Sequence, residues 1–501
     1  MLDSKPPSSC VYPTNHSGPI VNLDNDTLWY IFSLNANMEL HFGQPEDTVP
    51  ALRTLRYISQ VCSNWRQLAV GSPSLWSRIL DVNLLSQGAD WRNEVIRRTG
   101  TALLDVKAQN YDPSLPLALN SLEWLLNAHW SRIRSLVLAL DHLHFSPDEE
   151  PWFRLFERPA PSMEIFIFLG EFVTPPTFVL FSNTAPSLRR LSAAHMRLNL
   201  TTFRTPKLCH LVIHSPVSTL DLLNALNQMP VLESLETGSL EPFIPVQDAQ
   251  YPLPVATLPR LRQIKFEVLD CADVTLSVLA HILPAKGCVL GFFAIYQQEI
   301  PGDHGDIGTI LSTYLKHYTA FSPITDLQLT FHSKLIIFKA GKRSSKAFSF
   351  GLHSDSGDLS APIISLLLST FSTIGLATLK TLTLNHSIKD AHAKSFTEFI
   401  LALVSVEELK SSIFPLIPLH DVLLLSNAVA LPRLKAIHLD CTYGLDQLSR
   451  IAELVHGRME LGVPLETLTL EVRSSTSADE EIQTFRNAVG DVNIQIIITT
   501  Y

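Results

Sequence analysis

The sequence predicts an α/β protein: a small helical module in front, then an irregular solenoid of strand–helix units with a parallel sheet. Three observations carry that reading. A helical apolar stripe containing two tryptophans lies between Leu52 and Leu80. Behind it, segments of the form L-x-x-L-x-L, with Ile, Val or Phe allowed, recur at steps of roughly 20 to 31 residues. Between many of these segments lie runs with the apolar spacing of a helix.

Composition narrows the function classes. At 501 residues, 46% hydrophobic and 17% charged, the chain can bury a large core. A net charge of −10, with no stripe of clustered Lys and Arg, argues against a nucleic-acid partner. The opening MLDSKPPSSCVYPTNHSG has no basic start and no apolar run, and no stretch approaches the roughly 18 apolar residues of a membrane span. We therefore expect a cytoplasmic or nuclear protein that does not engage a membrane. Six widely separated cysteines (Cys10, Cys62, Cys209, Cys271, Cys288 and Cys441) read as buried thiols rather than disulfides or a zinc site.

Residues 1–20, rich in proline and serine, read as a flexible tail. The helical module spans 21–82. Asp24 or Asp26 caps a short helix carrying Leu28, Ile31 and Phe32. Residues 33–50 lose periodicity and read as a loop. The stretch LRTLRYISQVCSNWRQLAVGSPSLWSRIL then predicts one amphipathic helix with Ile58, Cys62, Trp65 and Ala69 on its apolar face, widened by Val61 and Leu68. Gly71 in a left-handed cap conformation and Pro73 end it, after which Leu75 and Trp76 turn back as an apolar pair. All seven tryptophans lie between Trp29 and Trp152. A module this small cannot bury that bulk alone, so either the following array or a partner covers it.

Residues 83–130 read as a helical linker and the first strand–helix unit, and 131–501 as the solenoid. Repeat frames begin at Ile133, Leu188, Leu208, Leu232, Leu261, Leu290, Ile324, Leu379, Leu434 and Leu465. The gaps from Ile324 to Leu379 and from Leu379 to Leu434 each hold one degraded unit, near Phe348 and Val406. Proline precedes several frames, as in Ala185-Pro186-Ser187-Leu188 and Leu431-Pro432-Arg433-Leu434. Helical returns are expected at 220–226, 275–283, 307–318, 363–371, 392–404, 420–429 and 445–456. Right-handed crossovers make the sheet parallel. The terminal IQIIITTY either pairs as the last strand or forms an exposed edge.

No catalytic constellation emerges. His142 with His144, and His210 with His214, lack the His-Glu-x-x-His context and a third acidic ligand, so no metal is expected. Gly341-Lys342-Arg343-Ser344 lacks the earlier glycine of a phosphate loop, and its cations, with Lys339 and Lys346, read as a solvated loop. Gly302-Asp303-His304-Gly305-Asp306 lacks the oxygen spacing of an EF-hand. No Gly-x-Ser-x-Gly elbow occurs. The chain is read as a non-enzyme with no cofactor.

The order capped helix, break, Val-Cys-x-x-Trp, Ser-Pro-Ser-Leu-Trp resembles the F-box motif. Its carriers are Leu23, Asp26, Leu28, Ile31 and Phe32, then Val61, Cys62, Trp65, Arg66, Leu68 and Ala69, and finally Pro73, Leu75 and Trp76. VCSNWRQLAVGSPSLW looks like the F-box proteins of mushroom-forming fungi, and the frames behind it are similar to leucine-rich repeats. The leucine-rich repeats' asparagine or cysteine at the ninth position is mostly absent, as at Pro216 and Arg473. The resemblance implies a substrate receptor of a Skp–cullin–F-box ubiquitin ligase. Leu23, Leu28, Ile31, Phe32, Val61, Cys62, Trp65, Leu68, Pro73, Leu75 and Trp76 would then dock on a Skp-type adaptor, and through it on a cullin. The repeats would hold a protein target whose identity the sequence does not name. Alternation puts the third and fifth residues of each frame on the open sheet face, so Arg190, His210, Glu236, Lys265, Gln328, Thr383 and His438 are the candidate target contacts. The family usually has Leu-Pro where this chain has Leu23-Asp24, and 33–50 lengthen a short connection. The alternative is therefore an interaction scaffold that has lost adaptor binding and does not direct degradation.

Overall fold

The structure is a computed structural model. It describes residues 23–36, 49–109, 116–139, 151–170, 178–193, 196, 198–238, 240–241, 252–269, 272–297, 305–341, 347–374, 376–385, 393–412, 429–441, 448–473, 478–489 and 493–499. The chain divides into two compact units, Met1–His142 and Leu143–Tyr501. Its class is mixed α/β with a large, mostly parallel sheet. The expected tail at 1–20, most of the 33–50 loop and all but the last residue of the expected helix at 420–429 lie outside the described residues.

In the first unit, α1 (Asn25–Asn35) starts at Asp24, whose carboxylate accepts the Thr27 N–H at 2.8 Å and the Thr27 hydroxyl at 2.9 Å. The single helix expected over the Val-Cys-x-x-Trp stretch is two: α2 (Ala51–Val61) and α3 (Ser63–Val70). Cys62 breaks it. Its backbone is extended (φ −154°, ψ 173°) and its sulfur caps α3 by accepting the Trp65 N–H at 3.5 Å. A second correction concerns Gly71, which is not left-handed (φ −77°). Glycine is needed there because a Cβ would sit 2.8 Å from the Gln67 carbonyl oxygen. Pro73 then opens the short α4 (Pro73–Trp76).

The rest of this unit follows the expected strand–helix order, with β1 (Leu80–Asp81), α5 (Val82–Leu85), α6 (Ala89–Arg98), β2 (Leu104–Gln109), α7 (Pro116–His129) and β3 (Ile133–Ala139). β2 lies between β1 and β3, parallel to both.

The second unit holds β4 (Ile165–Leu169), β5 (Arg190–Ala193), β6 (His210–Ile213), β7 (Val217–Ser218), β8 (Ser234–Thr237), β9 (Leu240–Glu241), β10 (Ala256–Thr257), β11 (Gln263–Leu269), β12 (Ile282–Leu283) and β13 (Val289–Tyr296). Next come β14 (Asp326–His332), β15 (Leu335–Ala340), β16 (Phe348–Ser354), β17 (Thr381–Asn385), β18 (Glu408–Ser412), β19 (Ala436–Asp440), β20 (Thr467–Arg473) and β21 (Asn493–Thr499). Helices α8 (Thr219–Leu226), α9 (Ala272–Ala280), α10 (Gly305–Thr319), α11 (Ala361–Thr373), α12 (Ala393–Ala402), α13 (Leu448–Glu460) and α14 (Ala478–Val489) lie between them. The helix expected to reach Leu283 stops at Ala280, because Ile282 and Leu283 pair with β10 as β12. β7 and β9 form a second short parallel ladder.

The proline-led frames have a physical origin. The N–H of the leading residue in these frames closes a four-residue turn, as in Leu188 to Ala185 O (3.2 Å), Leu208 to Thr205 O (3.0 Å), Leu261 to Leu258 O (3.1 Å) and Leu434 to Leu431 O (3.0 Å). Proline sits second in each of these turns, where its fixed φ is already correct and no N–H is needed. At many of the junctions one carbonyl then accepts two consecutive N–H groups from the next unit. Arg189 O takes Cys209 and His210, Cys209 O takes Glu233 and Ser234, and Glu233 O takes Arg262 and Gln263, all at 2.8–3.1 Å. The same pattern returns at Thr325, Lys380, Glu407 and Lys435.

One expectation fails in the middle of this sheet. Its order is β4-β5-β6-β8-β11-β13-β16-β15-β14-β17-β18-β19-β20-β21, and β15 runs antiparallel to both neighbours. His332 faces Leu335 across a two-residue turn, too short for the crossover that a parallel pair requires. The unit near Phe348 is thus the last strand of an inserted meander, whereas the unit near Val406 is an ordinary parallel strand. β21 closes the described ladder against β20. Phe338 of β15 stacks on Phe371 of α11 with ring centroids 3.8 Å apart, and both are buried. Phe338→Ala should therefore lower the stability of this unit by about 3–5 kcal/mol, read as a shifted midpoint in denaturant unfolding.

Candidate interaction surfaces

The helical module divides the eleven residues expected on its docking face into two sets. Leu28, Phe32, Leu75 and Trp76 are buried at 0–1% exposure. Trp76 donates its indole N–H to the Ala69 carbonyl at 2.8 Å, and the Arg98 guanidinium lies over its ring at 4.4 Å. Arg98 is held in turn by Glu94 at 2.8 Å. These four side chains fasten α1, α3, α4 and α6 together. In the free chain they are buried within the module itself.

The second set remains accessible. Ile31, Val61, Cys62 and Pro73 are exposed, and Leu23, Trp65 and Leu68 are half-buried. Trp65 leans edge-on against Phe32 with centroids 5.0 Å apart, so only part of its ring faces solvent. The structure adds Tyr30 and Leu34 on α1 and Tyr57 on α2, all more than half exposed. Sequence reading missed them because they lie outside the apolar stripe. Large apolar side chains on the polar side of a short helix were the available signal.

On the sheet, backbone pairing aligns the open-face residues into rows. Glu236 pairs with Lys265 in register, and Gln328, Thr383, Lys410 and His438 continue the same row beyond the inserted meander. Arg190 and His210 belong to the adjoining row and face each other across β5 and β6. All seven expected contacts are exposed or half-buried.

Two charge clusters form where rows meet. Lys265 lies 2.9 Å from both Glu236 and Glu267, with His214 3.7 Å from Glu236. His214 and Lys265 together hold the Glu236 carboxyl down at about 2. Lys265 is the firmer partner, because it is within hydrogen-bond reach and stays charged when the imidazole is neutral. The second cluster centres on Glu408, which meets His438 at 2.9 Å and Lys410 at 3.2 Å and accepts the Thr381 hydroxyl at 3.0 Å. His210, by contrast, is pushed down by burial and by Arg190 nearby.

Between the clusters the face turns apolar. Leu290 pairs with Ile264, so this unit's frame begins at Gly287 rather than at Leu290, and its outward residues are Val289, Gly291, Phe293 and Ile295. Phe293 rests across Gly351, where a Cβ would approach the ring to 2.7 Å and Ile337 to 3.1 Å. Leu269, Ile295 and Leu335 share the next row out with His353.

Among the described residues, no group of three or more His, Cys, Asp and Glu side chains is placed to hold a metal ion. His142, His144, 302–304 and 342–346 lie outside the described residues. Burial pushes the Cys288 and Cys441 thiols up to about 12. Among the described residues, no helix is long and apolar enough to cross a membrane. No protein-family model matches the chain, and no curated protein does so. Fold and surfaces therefore define a mixed α/β protein with an apolar helical patch and a long, aligned sheet face.

Two outcomes follow. Trp76→Ala should destabilise the first unit by about 3–5 kcal/mol, whereas Val61→Asp should change its stability by no more than about 0.5 kcal/mol, both measured by thermal or denaturant melts. The Glu236 carboxyl is depressed below its ordinary 4.5, so its stabilising contribution is complete above about pH 4.5 and is lost as pH falls towards 2. Carboxyl NMR titration should give a higher Glu236 value in Lys265→Ala than in the wild type.

Proposed function

We propose that the chain is a substrate receptor. The helical module docks on a Skp-type adaptor of a cullin-based ubiquitin ligase, and the open sheet face holds a protein target. One observation carries this reading: the module spends Trp76, Leu75, Phe32 and Leu28 on its own core and still leaves Tyr30, Ile31, Leu34, Tyr57 and Val61 in solvent. Apolar side chains left outside a satisfied core suit a protein contact. The departure at Asp24 supports the same reading, since a capping aspartate starts the first helix without the family's proline. The mixed rows of the sheet, with acidic, basic and apolar stretches side by side, suit a folded or extended protein target better than a uniform polyanion.

Capture on an immobilised Skp-type adaptor tests the proposal. Wild type should be retained, and Ile31→Asp and Val61→Asp should lose capture with unchanged melting temperatures. Leu75→Ala is the stability control, because it opens a core cavity rather than altering the surface. A folded wild type that is not retained would reject the receptor reading in favour of a scaffold without adaptor binding.

A further inference from the structure

A small cavity in the first unit shares Tyr57 with the exposed apolar patch but has arginine chemistry that the receptor reading does not use. It has a volume of about 80 Å³ and is lined by Leu52, Arg53, Arg56 and Tyr57 from α2, by Leu84 and Gln87, and by Trp91 from α6. Leu52 and Leu84 are buried and contribute its apolar lining. The guanidinium of Arg56 lies 5.4 Å from the Trp91 ring centroid, which fixes one fork beside the opening. Arg53 and Arg56 are three apart on one helix, so their Cβ atoms are about 5–6 Å apart on the same side.

These two arginines, like Arg78, differ from most of those further along the unit. Arg92 donates to Ser121, Arg97 and Arg98 pair with Glu94, Arg132 donates to the Ala102 carbonyl, and Arg134 pairs with Asp105. Among the described residues, neither Arg53 nor Arg56 has a hydrogen bond or an ion pair. Asp81 is near enough for Arg53 to act on its titration, but it accepts the Asn83 N–H at 3.0 Å and makes no salt bridge to Arg53. Two guanidinium groups without a salt bridge beside one cavity, in a chain of net charge −10, mark a local reversal of sign.

We propose that this pocket binds the phosphoryl group of a phosphorylated serine or threonine in a peptide segment. The volume is far below the roughly 300–1,000 Å³ of a cofactor or drug-sized site, so it admits a single headgroup and not a nucleotide. A carboxylate would balance one arginine. A phosphomonoester carries about −1.5 to −2 at neutral pH and three acceptor oxygens, which matches two forks together with the Gln87 amide and the Tyr57 hydroxyl. Trp91 and Tyr57 flank the opening as surfaces for the neighbouring peptide residues. This inference does not rest on adaptor binding.

The test uses the full chain and a fluorescein-labelled peptide, Gly-Ala-phosphoserine-Ala-Gly, read by fluorescence anisotropy. The phosphopeptide should bind and its unphosphorylated form should not. Arg53→Gln and Arg56→Gln should each weaken binding by about tenfold or more. The Arg53→Lys/Arg56→Lys pair should weaken it less than the glutamine pair, since charge is kept and the fork is lost. Arg97→Gln should leave it unchanged. Undiminished binding by a glutamine pair with wild-type melting would overturn the proposal. So would inorganic phosphate competing as well as the peptide, which would reduce the site to a free-anion pocket. Capture of phosphatidylinositol-phosphate vesicles without peptide binding would overturn it as well.

Discussion

The second unit depends on a backbone constraint. A parallel strand of four or five residues cannot satisfy its own N–H and C=O groups, so each unit must lend them to the next. Here one carbonyl at many junctions accepts two successive N–H groups, and a tight turn, often led by proline, delivers the following strand at the correct height. That contact sets register. Once register is set, inward residues stack into a continuous apolar layer, with Leu211, Leu235, Ile264 and Leu290 side by side at 0% exposure. A slip of one residue would turn this layer out to solvent.

The same constraint shapes the outer face. Register brings Glu236 against Lys265 on one side of the meander and Glu408 against His438 and Lys410 on the other. The meander separates the two clusters by antiparallel pairing, and Gly351 lets Phe293 lie flat between them. The face therefore carries an apolar patch around Phe293, Ile295, Leu335 and Ile337, bordered by Lys339, Ser349 and His353, between the two charge clusters. Such an arrangement favours a partner with an apolar centre flanked by charges of both signs.

Much of this was legible in the sequence where proline and leucine share a turn. Frames at Leu188, Leu208, Leu261 and Leu434 are placed correctly because turn geometry and burial both act on those few residues. The β4 unit was missed because Met163 occupies its leading position, although methionine fills that buried site as well as leucine does. The frame near Leu290 was misplaced because its true leading residue is Gly287, with φ +79° and the Phe321 ring packed against it. In the helical module, periodicity identified an apolar stripe but not which side chains would be used internally. Periodicity also ran through Cys62, because i, i+3 and i, i+4 spacing continues across a break that lies in one residue's backbone angles. Trp76 illustrates the limit: its burial depends on a carbonyl from α3 and a guanidinium from α6, neither of which local spacing can reveal.

Adaptor docking on the helical module and target binding on the sheet face are separate roles, and hydrogen–deuterium exchange of the full chain with and without a Skp-type adaptor tests the proposed separation most directly. The separation predicts added protection in peptides covering 25–35 and 51–62, with exchange across 234–296 unchanged. Failure of the adaptor to bind, or protection appearing on the sheet while α1 and α2 exchange as before, would contradict it.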